Sequence, residues 1–299
     1  MYSQFFGTYL LSGGYVTPEQ LFSAMQRQTK EHIKLGTLAI HAGHMTADQV
    51  DKTVIEQTHQ DRKFGELAIE LGYLTEEQVS ELLSHQTPSY LMIGQALLDD
   101  GFLTNTSFEQ ILNEYHDKNG IENPQIPIET TESVRKLFEH FYSAVETPVT
   151  HNGDIYIELL LNDLVRFIGA DFSPLTIETV HDFPVKCCVK QSILGAYSAN
   201  TYIAMDEQTA IAFASRYVKY SFNEYDEYVQ ASLEDFLNLQ NGLFTVNVSN
   251  DSSTELTLAP PEQITDDKLS FSVSTEHIPI LYPFGELHFF IELLQSPEA

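Results

Sequence analysis

Asp235 and Asn238 stand three residues apart in a stretch, Glu224 to Asn241, whose apolar residues recur at helical spacing. At about 100° per residue, Val229, Leu233, Phe236, Leu237 and Gln240 share one side of such a helix. Ala231, Asp235 and Asn238 centre on the other side. Side chains three and four apart are neighbours on one ridge, and Ala231 keeps that ridge low. Tyr228 and Leu239 flank it as apolar edges that a partner could cover. A carboxamide both accepts and donates hydrogen bonds, so Asn238 can hold a water and fix its direction of attack. A carboxylate beside it can pair with a cation on a docked partner. The residue types therefore suit a hydrolysis in which the partner supplies the reactive group.

Other constellations carry less. His41 and His44 could share a helix face, but no third ligand keeps zinc spacing and both lie near a turn, so surface histidines are expected. The sequence has no G-x-S-x-G elbow and no P-loop, which argues against a serine hydrolase and an ATPase. Asp163 and Arg166, three apart, are expected to form a surface ion pair. Cys187 and Cys188 are adjacent, a geometry too strained to bridge readily. Two reduced thiols in a cytoplasmic protein are expected. On a strand they would face opposite ways, so at most one is expected in the core.

The elements that must position Asp235 and Asn238 follow from periodicity. A first helix is expected over Ile155 to Gly169, with Ile157, Leu160, Leu161, Leu164 and Ile168 as its stripe. Val185 to Ser192 and Ala199 to Met205 suit two strands joined by a turn at Gly195. Asp206 suits the N-cap of a helix that holds Ala210, Ile211, Ala214 and Tyr217. After the Glu224 to Asn241 helix, Gly242 is expected to end it, with strands at Leu243 to Val248, Glu255 to Leu258, Leu269 to Ser274 and Glu286 to Leu293. Helices and antiparallel strands in this order imply an α+β layer fold.

The run Asp235-Phe236-Leu237-Asn238 is followed by Pro260 and Pro261, and 22 residues separate Asn238 from Pro261. With Gly242 and the hairpin from Gly195 to Glu207, this resembles the CheX, CheC and FliY chemotaxis phosphatases over about Asp154 to Ser296. The resemblance implies a CheX-like domain that binds a phosphorylated, CheY-like receiver domain and hydrolyses its aspartyl phosphate. That reaction needs an in-line water and charge stabilisation, with little covalent work by the catalyst. By resemblance Asn238 orients the water, and Asp235 pairs with the receiver's active-site lysine. The metal belongs to the receiver, so no cofactor is expected in this chain. The family usually has glutamate where Asp235 stands, and a polar residue where Ala231 stands. Glu234 points about 100° away and does not replace it. The alternative is a catalytically silent binding or scaffold module. The resemblance also implies a homodimer.

The first third is a repeat. Gly7, Gly36, Gly65 and Gly94 are each 29 residues apart, and so are Gly14, Gly43, Gly72 and Gly101. Thr17, Thr46, Thr75 and Thr104 keep step, as do Leu21, Val50, Val79 and Phe108. Each unit reads helix, turn, helix. Gly72 suits a left-handed helix C-cap, and Thr75 with Gln78 a capping box. Such short helices cannot bury their faces alone, so neighbouring units are expected to stack. These units resemble the MshEN-like tandem motif of type II secretion and pilus ATPases. Lys34-Leu35-Gly36 and Lys63-Phe64-Gly65 occupy the motif's Arg-Leu-Gly opening, with Phe5 and Met92 at the same point of the other two units. In some relatives this motif binds cyclic di-GMP, which would make Lys34, Gly36, Lys63 and Gly65 the ligand positions. Lysine lacks the planar fork of arginine, so a structural or protein-docking helical array is the favoured reading.

Forty-three acidic residues against 15 basic ones give a net charge of -28, which repels nucleic acid and anionic lipid. No apolar run approaches the length of a membrane span. Pro124 and Pro127 mark a connector, followed by a helix over Ser133 to Val145 and a break over Thr147 to Gly153. The expected organisation is a helical repeat domain over 1–118, a linker with a helix over 119–153, and an α+β domain over 154–299.

Overall fold

The computed structural model describes residues 5–27, 32–84, 90–119, 151–196, 198–252 and 255–295. It divides into two compact units, Met1–Phe138 and Glu139–Ala299. The expected connector, the Ser133 to Val145 helix and most of the following break lie outside the described residues.

The first unit contains eight described helices: α1 (Phe5–Ser12), α2 (Pro18–Arg27), α3 (Leu35–His41), α4 (Ala47–His59), α5 (Phe64–Glu70), α6 (Glu76–Ser84), α7 (Tyr90–Asp99) and α8 (Asn105–Asn119). Gly14, Gly43, Gly72 and Gly101 all have φ between +67° and +73°, where a side chain is costly. The bonds around them recur: Tyr73 N–H donates to Ala68 O at 2.9 Å, His44 to Ala39 at 2.9 Å, and Phe102 to Leu97 at 2.9 Å. Thr46 and Gln49 form a full capping box at the next helix, and Thr75 bonds Gln78 in the same way.

Packing does not simply follow chain order. The second and third units face each other, with Leu35 over Gly65 and Phe64 over Gly36; a Cβ on Gly36 would stand 2.8 Å from Val50. The first unit packs on the fourth, through α1 and α2 against α7. The second unit then meets the fourth through α3 and α4 against α8. Glu109 of α8 accepts from the Ala47 N–H at 2.8 Å, capping a helix 62 residues earlier. The expectation that sequence neighbours stack therefore holds for units two and three, while unit one packs against unit four. His41 is half-buried, not a surface histidine. Burial and the nearby His116 lower its pKa to about 4, and its ring meets Tyr90 and His116 edge-on.

The second unit is an α+β layer. Helix α9 (His151–Asp163) runs into a π-helical turn, Leu164–Ile168. The strands are β1 (Ser173–Pro174), β2 (Glu178–Pro184), β3 (Cys187–Gly195), β4 (Ser198–Met205), β5 (Leu256–Leu258), β6 (Glu262–Ile264), β7 (Lys268–Tyr282) and β8 (Gly285–Gln295). The sheet order is β1-β7-β8-β4-β3-β5, with β2 on β7 and β6 on β3, all antiparallel. Helices α10 (Glu207–Val218) and α11 (Glu227–Ser252) lie between β4 and β5 in the chain. Asp206 caps α10 by accepting from Thr209 N–H at 2.7 Å.

Helix α11 differs from expectation. It continues through Gly242, so Leu243 to Val248 is helical and not a strand. The alternation of Phe244, Val246 and Val248 mimics a strand, but burial keeps helical spacing: Phe236, Gln240, Phe244 and Val248 are buried, four apart, while Val246 is 59% exposed.

Cys187 and Cys188 are both buried as free thiols, although they face opposite sides of the sheet. The reason is a second cover. β2 and the first half of β7 bring Val180, Phe183, Leu269 and Phe271 onto the sheet face that carries Cys188, Tyr202 and Phe290. The face opposite holds Cys187 beneath the helices. Glu292 ties the two layers together: its carboxylate accepts from Asn200 Nδ2 and Tyr202 Oη, both at 2.9 Å, and from Ser272 N–H at 3.1 Å and Oγ at 3.0 Å. Burial raises the pKa of this carboxyl, but those bonds outweigh it and hold the group below the ordinary glutamate value. It therefore contributes stability above pH 4.5, lost as pH falls through its lowered folded value. Glu292→Gln is expected to cost about 1.5–3 kcal/mol at pH 7, the worth of hydrogen bonds to a charge. Urea denaturation of both proteins from pH 7 to pH 3 checks this, with the gap expected to close in acid.

Candidate functional site

Helix α11 lies on β3, β4 and β5 and packs against α9 and α10. Val229, Leu233, Phe236 and Leu237 are fully buried. Asp235 and Asn238 are both exposed, with Ala231 exposed one turn earlier. The structure thus places the two expected side chains on one open ridge. Glu234 is turned aside and accepts from Gln263 Nε2 at 2.9 Å.

Neighbouring elements hold each side chain. Tyr217, near the end of α10, donates its hydroxyl to Asp235 Oδ2 at 2.7 Å. Burial first, and then the Asp235 and Asp163 carboxylates, raise the Tyr217 phenol well above its usual pKa, so it stays a donor. Gln191 of β3 donates Nε2–H to Asn238 Oδ1 at 2.8 Å and to the Ala259 carbonyl at 2.9 Å. Its own Oε1 accepts from Asn241 Nδ2 at 2.8 Å, and that amide also donates to Thr201 Oγ1 at 2.8 Å. Gln191, Thr201 and Asn241 are all buried. Sequence periodicity alone does not single out Gln191, since an alternating strand residue can face either way; its pairing with the exposed asparagine is a tertiary fact.

Beside Asp235 opens a groove of about 690 Å³ between the end of α10 and the start of α11. Val218, Tyr220 and Tyr228 expose 45%, 66% and 64% of their surface around it, with Glu224, Asp226 and Asp235 as acidic members. Leu239, expected as the second apolar edge, is half-buried. Among the described residues, no group of three or more His, Cys, Asp or Glu side chains could hold a metal. Among the same residues, no helix is long and apolar enough to cross a membrane.

In the first unit, Lys34 and Lys63 are the exposed N-cap residues of α3 and α5. Lys34 is engaged: its ammonium pairs with Asp99 and its N–H donates to Gln95 Oε1 at 3.0 Å. The adjoining Gly36 and Gly65 are closed over by Val50 and Phe64, and by Leu35 and Val79.

No family model matches the chain, and no curated protein matches it. Solved structures do resemble its C-terminal half. A chemotaxis protein CheX from Desulfovibrio desulfuricans is 16% identical, over 48% of this chain and 98% of its own, with a TM-score of 0.42. A CheX–CheY–BeF3–Mg complex from Borrelia burgdorferi is 17% identical, over 48% and 97%, at 0.39. FliY from Thermotoga maritima is 14% identical, over 48% and 87%, at 0.37.

Asp163 corrects an expectation. It is only 5% exposed, its Oδ2 has no hydrogen-bond partner, and Arg166 is exposed. The π-helical turn that starts at Leu164 advances each residue less than an α-helix does, so Arg166 does not lie over Asp163 as regular spacing implies. Burial raises the Asp163 pKa, partly opposed by the charge of Arg166. A carboxyl raised on folding opposes stability once the pH exceeds its unfolded value of 3.8. Asp163→Asn is expected to be more stable than wild type at pH 7, because it removes the cost of keeping a charge at this buried position. Thermal or urea unfolding should show that advantage vanish below pH 3.8.

Proposed function

We propose that the second unit binds a phosphorylated receiver domain and hydrolyses its aspartyl phosphate. The observation that supports this most is the joint exposure of Asp235 and Asn238 on one ridge, each fixed by a neighbour rather than buried under packed side chains. Asn238 takes one hydrogen bond at Oδ1, which leaves that oxygen a second lone pair and leaves the amide N–H groups to meet a water. Asp235 keeps Oδ1 for a cation while Tyr217 steadies Oδ2. The acidic, partly aromatic groove next to it suits a partner that brings basic and apolar side chains together. The receiver supplies the phosphoryl group and its metal. This chain supplies the geometry, which suffices for a reaction governed by water position and charge.

The shorter Asp235 is where a silent binding module and an enzyme part company. Decay of a phosphorylated receiver, followed with and without the protein, distinguishes them. Wild type is expected to accelerate decay; Asn238→Ala should lower kcat by about a hundredfold through loss of the oriented water. Asp235→Ala should instead weaken receiver binding. Acceleration that persists undiminished in Asn238→Ala would overturn the assignment, and receiver binding without acceleration would make the domain a scaffold.

For the first unit we read a protein-docking array. Lys34 is committed to Asp99, and the glycines beside the two lysines are filled by packing neighbours. Calorimetry with cyclic di-GMP at micromolar protein is expected to give no heat. A saturating signal that Lys34→Ala or Lys63→Ala removes would replace this reading with nucleotide sensing.

A further inference from the structure

We infer that Gln191 is a positioning residue for Asn238, and that it fixes which end of the Asn238 amide faces an incoming phosphate; this rests on the hydrolytic reading above. A primary amide can be turned end for end, which exchanges donor for acceptor at the outward position. Here the direction is determined by a chain of bonds that starts at a group with no choice. The Ala259 carbonyl can only accept, so the Gln191 end that meets it must be Nε2. The same Nε2 meets Asn238, so the Asn238 end that faces inward must be Oδ1. Its Nδ2 is thereby turned outward. The other end of Gln191 is set independently. Thr201 spends its hydroxyl proton on the Gln191 backbone carbonyl at 3.1 Å, so it must accept from Asn241. Asn241 therefore presents Nδ2 to both Thr201 and Gln191, which requires Oε1 of Gln191 at that point. Both constraints give one answer.

The anchor itself is rigid. Ala259 N–H donates to Ser192 O at 2.9 Å, which joins it to β3 next to Gln191. Pro260 follows, and a residue before proline is held extended, so the direction of the Ala259 carbonyl is restricted from both sides. The proline segment thus acts on Asn238 through Gln191, with no contact to the reacting atoms.

The test uses the full chain with Gln191→Met, which keeps the volume but has no amide, and Gln191→Glu, which cannot donate when ionised. Side-chain amide NMR reads Asn238 directly, its signal assigned by loss in Asn238→Ala. In both Gln191 variants that signal is expected to move and its exchange with water to change severalfold; an unmoved signal in both overturns the inference. In the receiver assay, kcat is expected to fall about ten- to a hundredfold with KM unchanged, as for a reacting group misplaced by about an ångström. In an Asn238→Ala background the same substitution should have no further effect. An equal fall in that background would mean that Gln191 only supports the fold, and overturns the inference. Should wild type not accelerate decay at all, the hydrolytic reading falls, and the NMR arm still decides whether Gln191 sets the Asn238 amide.

Discussion

One-sided burial of helix α11 is the constraint from which the rest of the second unit follows. Its stripe of Val229, Leu233, Phe236, Leu237, Gln240, Phe244 and Val248 is buried. Burying the apolar members of this stripe stabilises the helix by about 1.5–3 kcal/mol each, so its rotation about its own axis is not free. With that rotation set, positions 235 and 238 must point outward, whatever else the surface does. The same burial places Gln240 and Asn241 over the sheet and brings Asn238 within reach of β3. The exposed pair is thus a consequence of core packing, and its precision is inherited from the core.

Much of this was legible because periodicity is a statement about faces. The assignment of Asp235 and Asn238 to the outer side of a helix needs only the 3.6-residue period, and the structure places both there. The repeat in the first unit was legible for a different reason: left-handed turns demand glycine, and four such turns leave glycines 29 residues apart. Four features were not legible, each for a physical cause. Gly242 looked like a helix end, yet glycine merely weakens a helix, and the buried stripe beyond it outweighs a penalty of about 1 kcal/mol. β2 is mostly exposed and has no apolar alternation, so it has little local signal; it is held by pairing with β7. Both cysteines are buried because that pairing covers the second sheet face. The packing of the first repeat unit on the fourth is a long-range choice that identical local signals cannot encode.

The buried amides beneath the ridge raise a question that packing alone does not answer. Apolar residues at 191 and 241 would fill the same space and avoid the cost of desolvating polar groups, about 1–3 kcal/mol for each group left unmatched. The cost is visible: Asn241 Oδ1 is buried without a hydrogen-bond partner. A network with an unmet member is a poor device for stability. What it supplies, and what leucine could not, is direction. Apolar contacts set where a neighbouring side chain sits but are indifferent to which end of an amide faces out. Only a donor fixed against an acceptor can choose between them, and an acceptor fixed by the backbone is the most dependable starting point. The Ala259 carbonyl, held between a β3 hydrogen bond and a following proline, is such a point. On the helix itself only the buried Asn241 takes part in orienting Asn238, and the outer face stays low and open for a partner. A surface asparagine with one defined edge is far less free than an ordinary exposed one, and that restriction is the local feature that most separates this ridge from a solvated helix face.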